Sequence, residues 1–213
     1  MQIDTLTLET EKITVRDKTF KIIRPAKLEE IFKGDPFLEV EKFPLWFKVW
    51  EASLVLADYV SGVSPSKKIL ELGAGLGVVS LVAAGVGHEV LATDYDELPL
   101  KFLELSAKEN GLSIRTQVLD WRTVNLKEKF DVILGAEIVF RKSLFDPLLE
   151  LFKNLLVDQG EVILAHSGDR KRLLVPFLYK AQEHFEVLTS IRKLKEKEGT
   201  QEVILNKLVF KKN

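Results

Sequence analysis

Beyond residue 65, short apolar runs alternate with segments of helical periodicity, and this alternation constrains the fold more than any other feature. The apolar runs lie at residues 69–72, 90–93, 118–119, 132–134 and 161–165, and helical patterns cover 77–84, 97–108, 144–157 and 172–182. Continuously apolar strands that alternate with helices are typical of a parallel sheet covered on both faces. We predict a Rossmann-like, doubly wound α/β fold with a mostly parallel seven-stranded sheet.

Both ends of the chain predict antiparallel strands. Residues 185–191 and 203–210 are two apolar runs with no helix between them, which indicates a C-terminal hairpin. Near the N-terminus, alternating residues at 6–9 and 13–15 precede a turn at Asp17-Lys18 and a third run at 20–23. A small helix at 26–32 and a longer one at 46–60, with Trp50 and Leu54 on one face, follow. We expect residues 1–44 to form part of the same domain as residues 45–213.

Composition excludes several classes of protein. The chain has 213 residues, which suits one domain, and no cysteine, which removes disulfides, thiolate metal sites and a cysteine nucleophile. The net charge of −1 argues against nucleic acid as a partner. We find no apolar stretch long enough to span a membrane and no signal-peptide pattern. We therefore expect a soluble, cytoplasmic monomer without a metal.

A glycine-rich segment follows the first of the predicted parallel strands. Gly73, Gly75 and Gly77 lie where this strand meets a helix, and glycine allows a tight turn and a close approach to a ligand. Asp94 ends the next strand, 19 residues after Gly75, where nucleotide-binding sheets carry an acid for the ribose hydroxyls. The pattern predicts a nucleotide cofactor, and a purely structural turn is the alternative.

The kind of cofactor is suggested by two further positions. Val78 stands where a dinucleotide-binding loop has a glycine, and Glu71 lies two residues before Gly73. An acid so close would repel a pyrophosphate but suits a ligand that carries an ammonium and a sulfonium. This favours S-adenosylmethionine over NAD.

With these motifs the sequence resembles the class I S-adenosylmethionine-dependent methyltransferases, and within them methyltransferase family 16, which contains many protein-lysine methyltransferases. The first motif of the class, an acid followed by spaced glycines, is matched by residues 71–77. Three further segments resemble the family: Val49-Trp50-Glu51-Ala52, Asp120-Trp121 and residues 130–140. The resemblance covers roughly residues 44–165.

The resemblance implies roles for individual residues. Gly73, Ala74 and Gly75 would hold the methionine part of the cofactor, beside Glu71, and Asp94 would bind the ribose. Asp120 would accept a hydrogen bond from the adenine amino group and Trp121 would border the ring. The remaining residues of this implied site are Trp50 and Ala136, which would line the cofactor pocket, and Glu137 and Phe140, which would serve the methyl acceptor.

Each of these side chains also has a simpler interpretation. The two tryptophans would then be core residues, Glu137 a cap for the following helix, and His166, at the end of the fifth strand, a structural histidine. Phe140 stands where most family members have tyrosine, so this chain lacks a phenolic hydroxyl there.

The acceptor is narrowed by exclusion. Methylation of cytosine C5 needs a cysteine, and amide or adenine methylation usually uses a proline-containing motif that residues 137–140 lack. A carboxylate and an aromatic face suit a lysine amine. Our leading hypothesis is a protein-lysine N-methyltransferase. A small-molecule amine methyltransferase and a non-catalytic cofactor-binding module are the alternatives.

Overall fold

The computed structural model describes residues 3–39, 42–64, 66–196 and 199–212. Its main sheet has seven strands in the order β5-β4-β3-β6-β7-β9-β8. The strands of this sheet are β3 (Lys68–Leu72), β4 (Glu89–Asp94), β5 (Arg115–Val118), β6 (Phe130–Ala136), β7 (Leu156–Ser167), β8 (Phe185–Glu196) and β9 (Gly199–Phe210). Strands β3 to β7 are parallel to one another, and β9 runs antiparallel to both β7 and β8. The predicted fold and the C-terminal hairpin are confirmed.

Five helices cover the two faces of the sheet. They are α1 (Glu51–Ser61), α2 (Val78–Gly85), α3 (Glu97–Glu109), α4 (Phe145–Leu155) and α5 (Lys171–Ala181). Side chains of β3 alternate between the faces: Ile69 packs with α1, α2 and α3, whereas Leu70 and Leu72 pack with α4 and α5. The continuous apolar runs arise because both faces of the strands are buried. None of the helices in the described ranges is both long and apolar enough to cross a membrane.

The N-terminal strands are antiparallel, as the sequence predicts, and form a separate two-stranded hairpin, β1 (Leu8–Val15) and β2 (Lys18–Pro25). The runs expected at 6–9 and 13–15 are not two strands, because β1 continues from one to the other. Ile13, Phe20 and Ile22 of this hairpin are buried in the same cluster as α1, α2 and α3. The hairpin therefore packs on the helices of one face, and its burial there stabilises it, since an isolated hairpin is marginal in water. The domain boundary at residue 44 stays a prediction.

Two predicted helices differ from the structure. The helix expected at 46–60 begins only at Glu51, because Trp50 has extended backbone angles (φ −88, ψ 144) and caps it. Residues 45–47 form a short 3-10 turn, held by a hydrogen bond from the indole N–H of Trp50 to Leu45 O (2.9 Å). The helix expected at 26–32 is one 3-10 turn, Leu28–Glu30, with no side-chain cap at Lys27.

The strand expected at 118–119 is β5, which lies at Arg115–Val118 and ends where the apolar run begins. As the edge strand of the sheet it has exposed or half-buried side chains throughout. An edge strand buries too little surface to require an apolar run, so hydrophobic periodicity misplaces it.

Candidate active site

The loop between β3 and α2 has three glycines with positive φ. These are Gly73 (φ 64), Gly75 (φ 54) and Gly77 (φ 76), a region in which residues with a Cβ are strained. The loop also bonds to the neighbouring strand, because Ala74 N donates to Thr93 O (2.9 Å). Because Gly73 and Gly75 have no side chains, a ligand can approach the main chain of the loop closely. The hydrogen bond to β4 fixes the shape of the loop.

Gly77→Ala tests whether the loop tolerates a side chain. An added Cβ would clash with Leu103 Cδ1 and would also occupy a positive φ. We expect the free energy of unfolding to fall by about 2 kcal/mol or more, measured by urea denaturation. Gly111→Ala is the matched control, since it has φ 65 but nothing within 4 Å of the added Cβ. Equal losses in the two variants would contradict a packing role for Gly77.

Asp94 lies at the end of β4 and ties the glycine loop to the next strand. Its Oδ2 accepts a hydrogen bond from Gly75 N (2.9 Å), and its Oδ1 accepts one from Asp96 N (3.1 Å). Burial raises the pKa of Asp94, and the hydrogen bond from Gly75 opposes that shift. The structure therefore brings together the loop and the acid that the sequence predicts as partners.

Glu71 lies behind the loop rather than at its open side. Its side chain is 2% exposed and accepts a hydrogen bond from the hydroxyl of Ser80 on α2. Burial raises the pKa of Glu71 to about 8. The electrostatic argument against a pyrophosphate is therefore wrong for this position, because it needs a charged carboxylate near neutral pH. A direct role for Glu71 in cofactor binding stays a prediction.

The raised pKa of Glu71 predicts a dependence of stability on pH. The folded state holds a proton that the unfolded chain releases, so this contribution is complete below the ordinary pKa of 4.5 and is lost as pH rises to about 8. Across that window we expect Glu71 to lower the free energy of unfolding by up to about 1.4 kcal/mol per pH unit. Urea denaturation of wild type and Glu71→Gln over this range isolates the effect, because the variant lacks the titrating group. Parallel stability curves would contradict it.

Trp121 and Phe140 lie together beside the first glycine. A Cβ on Gly73 would be 3.6 Å from Trp121 Cζ2, and the rings of Trp121 and Phe140 are 6.2 Å apart. The indole nitrogen of Trp121 is buried, and the described part of the chain offers it no hydrogen-bond partner. An unpartnered N–H beside a glycine cradle fits a ligand with a hydrogen-bond acceptor, as a bound cofactor would provide.

Asp120 is already paired within the chain. Arg122 Nη2 lies 2.7 Å from Asp120 Oδ2, and Arg122 Nε donates to Oδ1 at 2.9 Å. These hydrogen bonds lower the pKa of Asp120. An adenine amino group would therefore have to bind a carboxylate that already accepts hydrogen bonds from Arg122. The predicted contact of Asp120 with adenine stays a prediction.

Glu137, which follows β6, has an unusual backbone conformation and accepts hydrogen bonds from two donors. Its φ is 58, rare for a residue with a Cβ, and such conformations often mark functional sites. Oε1 accepts a hydrogen bond from Ser167 N (2.6 Å), and Oε2 pairs with Arg170 Nε (3.2 Å). Burial raises the pKa of Glu137, and these donors oppose the shift. The helix-cap interpretation is wrong, because Leu144 precedes α4 without a side-chain cap.

His166 supports the segment that follows Glu137. It is fully buried, and its Nε2 accepts a hydrogen bond from Val139 N (3.0 Å). Burial lowers its pKa to about 3, so it is neutral at physiological pH. His166 therefore has a structural role, as the simpler interpretation predicts, and it fixes the main chain just before Phe140.

Trp46 is a site residue that the sequence reasoning missed. Its Cβ lies 3.5 Å from where a Cβ on Gly75 would be, and its indole N–H donates to Asp96 Oδ2 (3.1 Å). Trp50, by contrast, is half-buried under Lys48, whose Nζ is 5.1 Å from the ring centroid. Helical periodicity assigned Trp46 to a helix, and nothing in the spacing indicates that it lies against the loop.

Ala136, the last residue of β6, is half-buried and packs against the cluster that contains α1 and the glycine loop. Trp50 precedes α1, and α1 packs against β6. The predicted places of Ala136 and Trp50 in the lining of the cofactor pocket stay predictions.

The strand order, the glycine loop and the acid at the end of β4 define a Rossmann-like S-adenosylmethionine-dependent methyltransferase. A family model described as lysine methyltransferase matches residues 45–190. The chain belongs to this family, and the resemblance drawn from its motifs is confirmed. As a member of this family, the protein has S-adenosylmethionine as its cofactor.

Two curated relatives illustrate the similarity. "Protein N-lysine methyltransferase METTL21A" of Xenopus tropicalis is 34% identical over 150 residues, which cover 65% of this chain and 68% of the relative. "Protein-lysine N-methyltransferase EFM3" of Saccharomyces cerevisiae is 30% identical, and the match covers 61% of this chain and 46% of the relative. The chain thus spans about half to two thirds of the length of these relatives.

Two solved structures show the same fold at low identity. The ribosomal protein L11 methylase of Lactobacillus delbrueckii has a TM-score of 0.58 at 20% identity, covering 76% of this chain and 81% of that one. The Pyrococcus abyssi tRNA (uracil-54, C5)-methyltransferase, in complex with S-adenosyl-L-homocysteine, has a TM-score of 0.61 at 17% identity. That match covers 94% of this chain and 44% of the other.

Proposed function

We propose that the protein is an S-adenosylmethionine-dependent methyltransferase that methylates the side-chain amine of a lysine in a protein substrate. The observation that carries the acceptor assignment is that Glu137 pairs with one cation and that the aromatic ring of Phe140, three residues later, faces another. Arg170 occupies Glu137 Oε2, and the guanidinium of Arg141 lies 5.8 Å from the Phe140 ring centroid. A carboxylate and an aromatic face that hold cations in the free protein suit a lysine ammonium as well.

The names of the curated relatives support a protein lysine as the acceptor. Both relatives described above are named as lysine methyltransferases of proteins, and so is "EEF1A lysine methyltransferase 3" of Mus musculus, at 32% identity. The family description agrees with them. A cytoplasmic location and a monomeric state stay predictions.

The cofactor supplies an activated methyl group on a positively charged sulfur. Transfer of that methyl group to the lysine nitrogen would give N-methyl-lysine, S-adenosylhomocysteine and a proton. Only the neutral amine carries a free lone pair, and lysine normally titrates near ~10.4, so the ammonium must lose its proton before transfer.

The residues of this chain contribute orientation and exclusion of water. The glycine loop and Asp94 would hold the cofactor at the ends of β3 and β4, and Glu137 would orient the acceptor at the end of β6. The adjacent rings of Trp121 and Phe140 make the surface beside Gly73 apolar, and apolar surroundings favour the neutral form of an amine. The positive charge of Arg170 beside Glu137 also favours the neutral form of an amine that binds there.

Incubation with methyl-labelled S-adenosylmethionine and a lysate of the source cells tests this proposal. We expect label in the protein fraction, recovered as methyl-lysine after hydrolysis, and little label with Glu137→Gln. Label confined to small molecules would favour the alternative, a small-molecule amine methyltransferase. Calorimetry with S-adenosylmethionine tests cofactor binding separately, so a missing acceptor is distinguished from an inactive fold.

A further inference from the structure

A groove with a volume of about 1050 Å³ runs along one flank of α1. Residues 11–15 of β1 and Arg16 of the following turn form one wall, and α1 forms the other through residues such as Leu54, Asp58 and Tyr59. Residues 192–194 at the far end of β8 close one side. The β1–β2 hairpin lies before residue 45, where the family match begins, so this groove is formed partly by a segment outside the matched region.

The groove follows the edge of β1 rather than one of its faces. Successive side chains of a strand point to opposite faces, so a groove against one face would contact every second residue. Here six consecutive residues, 11–16, line it. On its other side β1 pairs with β2, and the described part of the chain places no further strand in this small sheet. The edge that faces the groove is therefore an unpaired strand edge.

Hydrogen bonds of β2 show which main-chain groups of β1 point to this edge. Lys21 N donates to Asn110 Oδ1 on the helix side, so the main-chain N–H of Lys21 points away from β1. Lys12 lies opposite Lys21 in the register. Residues opposite each other in an antiparallel pair share the same bonding state, so Lys12 likewise points its N–H and C=O away from β2.

The same reasoning extends along β1. Ile23 N donates to Ser106 Oγ, and Thr10 lies opposite Ile23. Because the pattern repeats every second residue, Thr10, Lys12 and Thr14 all present their main-chain N–H and C=O groups at the free edge. In the ranges that the structure describes, none of these N–H groups donates a hydrogen bond to another main-chain group. Such an edge is a template for an added strand.

The charges of the groove favour an acidic ligand. Its carboxylates already have cationic partners: Glu11 pairs with Arg24, Asp58 with Arg16, and Glu161 with Lys207. Lys12 and Arg192 have no ion-pair partner among the described residues, and Lys193 reaches only Glu202, at 4.0 Å. The uncompensated charge of the groove is therefore positive.

The groove also leads to the candidate active site. Val49 lines the groove and immediately precedes Trp50, the cap of α1. Helix α1, which Trp50 precedes, packs against β6, the strand that Glu137 follows. A chain that lies in the groove along α1 would therefore extend to the acceptor side of the site.

We propose that the groove binds an extended, acidic segment of the protein substrate, which adds to the free edge of β1 as a third strand. This inference rests on the proposed function, because it assigns the groove to the same substrate. Main-chain hydrogen bonds from Thr10, Lys12 and Thr14 provide affinity, and Lys12 and Arg192 select acidic side chains.

Binding of a labelled peptide tests the inference without requiring turnover. The probe is a fluorescein-labelled peptide of about ten alternating glutamate and threonine residues around one lysine, long enough to pair with β1. We expect binding by fluorescence anisotropy to weaken at least about tenfold in Lys12→Glu/Arg192→Glu, and to weaken with added salt in wild type. The control Lys127→Glu/Lys129→Glu makes the same charge change at exposed residues before β6, and we expect it to bind as wild type does.

Lys12→Pro tests the strand pairing itself. Proline removes one outward N–H from β1 but leaves the hydrogen bonds to β2 intact, so affinity for the peptide falls while the hairpin stays folded. Circular dichroism checks that Lys12→Pro is folded. If Lys12→Pro unfolds, the test relies on Lys12→Glu/Arg192→Glu.

Three results would overturn the inference. These are equal binding of a peptide with lysine in place of glutamate, unchanged binding by the groove variants, and a dimer in sedimentation that Lys12→Pro abolishes. The last result would assign the strand edge to a second copy of the chain. Calorimetry with S-adenosylmethionine on the same proteins separates the two proposals: cofactor binding without peptide binding removes only this inference, and the reverse removes only the proposed function.

Discussion

Asp94→Ala is expected to weaken S-adenosylmethionine binding by about 10- to 100-fold, because a hydrogen bond to a charged group contributes about 1.5–3 kcal/mol. Two effects add up in this variant. The carboxylate that would accept the ribose hydroxyls is lost, and Gly75 N loses the partner that holds the loop. Isothermal titration calorimetry measures the affinity directly.

Two control variants distinguish the loss of the Asp94 carboxylate from a general effect on the fold. Asp94→Asn keeps the shape and one acceptor oxygen, so we expect an intermediate affinity. Glu97→Ala removes a nearby acid that is exposed and pairs with Lys101, and we expect no change in cofactor affinity. A folded Asp94→Ala protein that binds the cofactor as tightly as wild type would exclude Asp94 from the site.

Glu137→Gln is expected to reduce methylation of the lysine substrate by about 100-fold, because a misplaced acceptor loses that much rate even when it is bound. The amide retains an oxygen for Ser167 N but loses the charge that pairs with Arg170 and that would orient an ammonium. Cofactor affinity should stay within about twofold of wild type, because the glycine loop and Asp94 are untouched. The measurement is the initial rate of label incorporation, with calorimetry alongside.

Glu137→Asp is the matched control for charge. It keeps the negative charge on a side chain one methylene shorter, so we expect it to retain far more activity than the glutamine variant. Equal rates for wild type and Glu137→Gln on a lysine substrate would show that this carboxylate does not act on the acceptor. Thermal denaturation of the variants checks that lost activity does not come from unfolding.

The sequence predicts the sheet well because burial on both faces leaves a strong pattern. The centres of β3, β4 and β6 are buried and mostly apolar, and the positions of Gly73, Gly75 and Asp94 follow from where such strands end. β5 has no such pattern, because it lies at the edge, and its predicted position was displaced accordingly.

Contacts between distant segments could not be predicted. Glu137 and Arg170 are separated by 33 residues, and the burial of Glu71 against Ser80 depends on how α2 packs over β3. Local patterns indicate which residues end a strand, but the direction of a side chain and its partner depend on the packing of the whole domain. The position of Trp46 against Gly75 is missed for the same reason.

The placement of the tryptophans gives the protein its own optical reporter. The chain has only three, and Trp46 lies against Gly75 while Trp121 lies against Gly73. The third, Trp50, is bonded to Leu45, next to Trp46 in the chain. We therefore expect the tryptophan fluorescence of this protein to arise chiefly beside the glycine loop, and its wavelength and intensity to change when a ligand binds there.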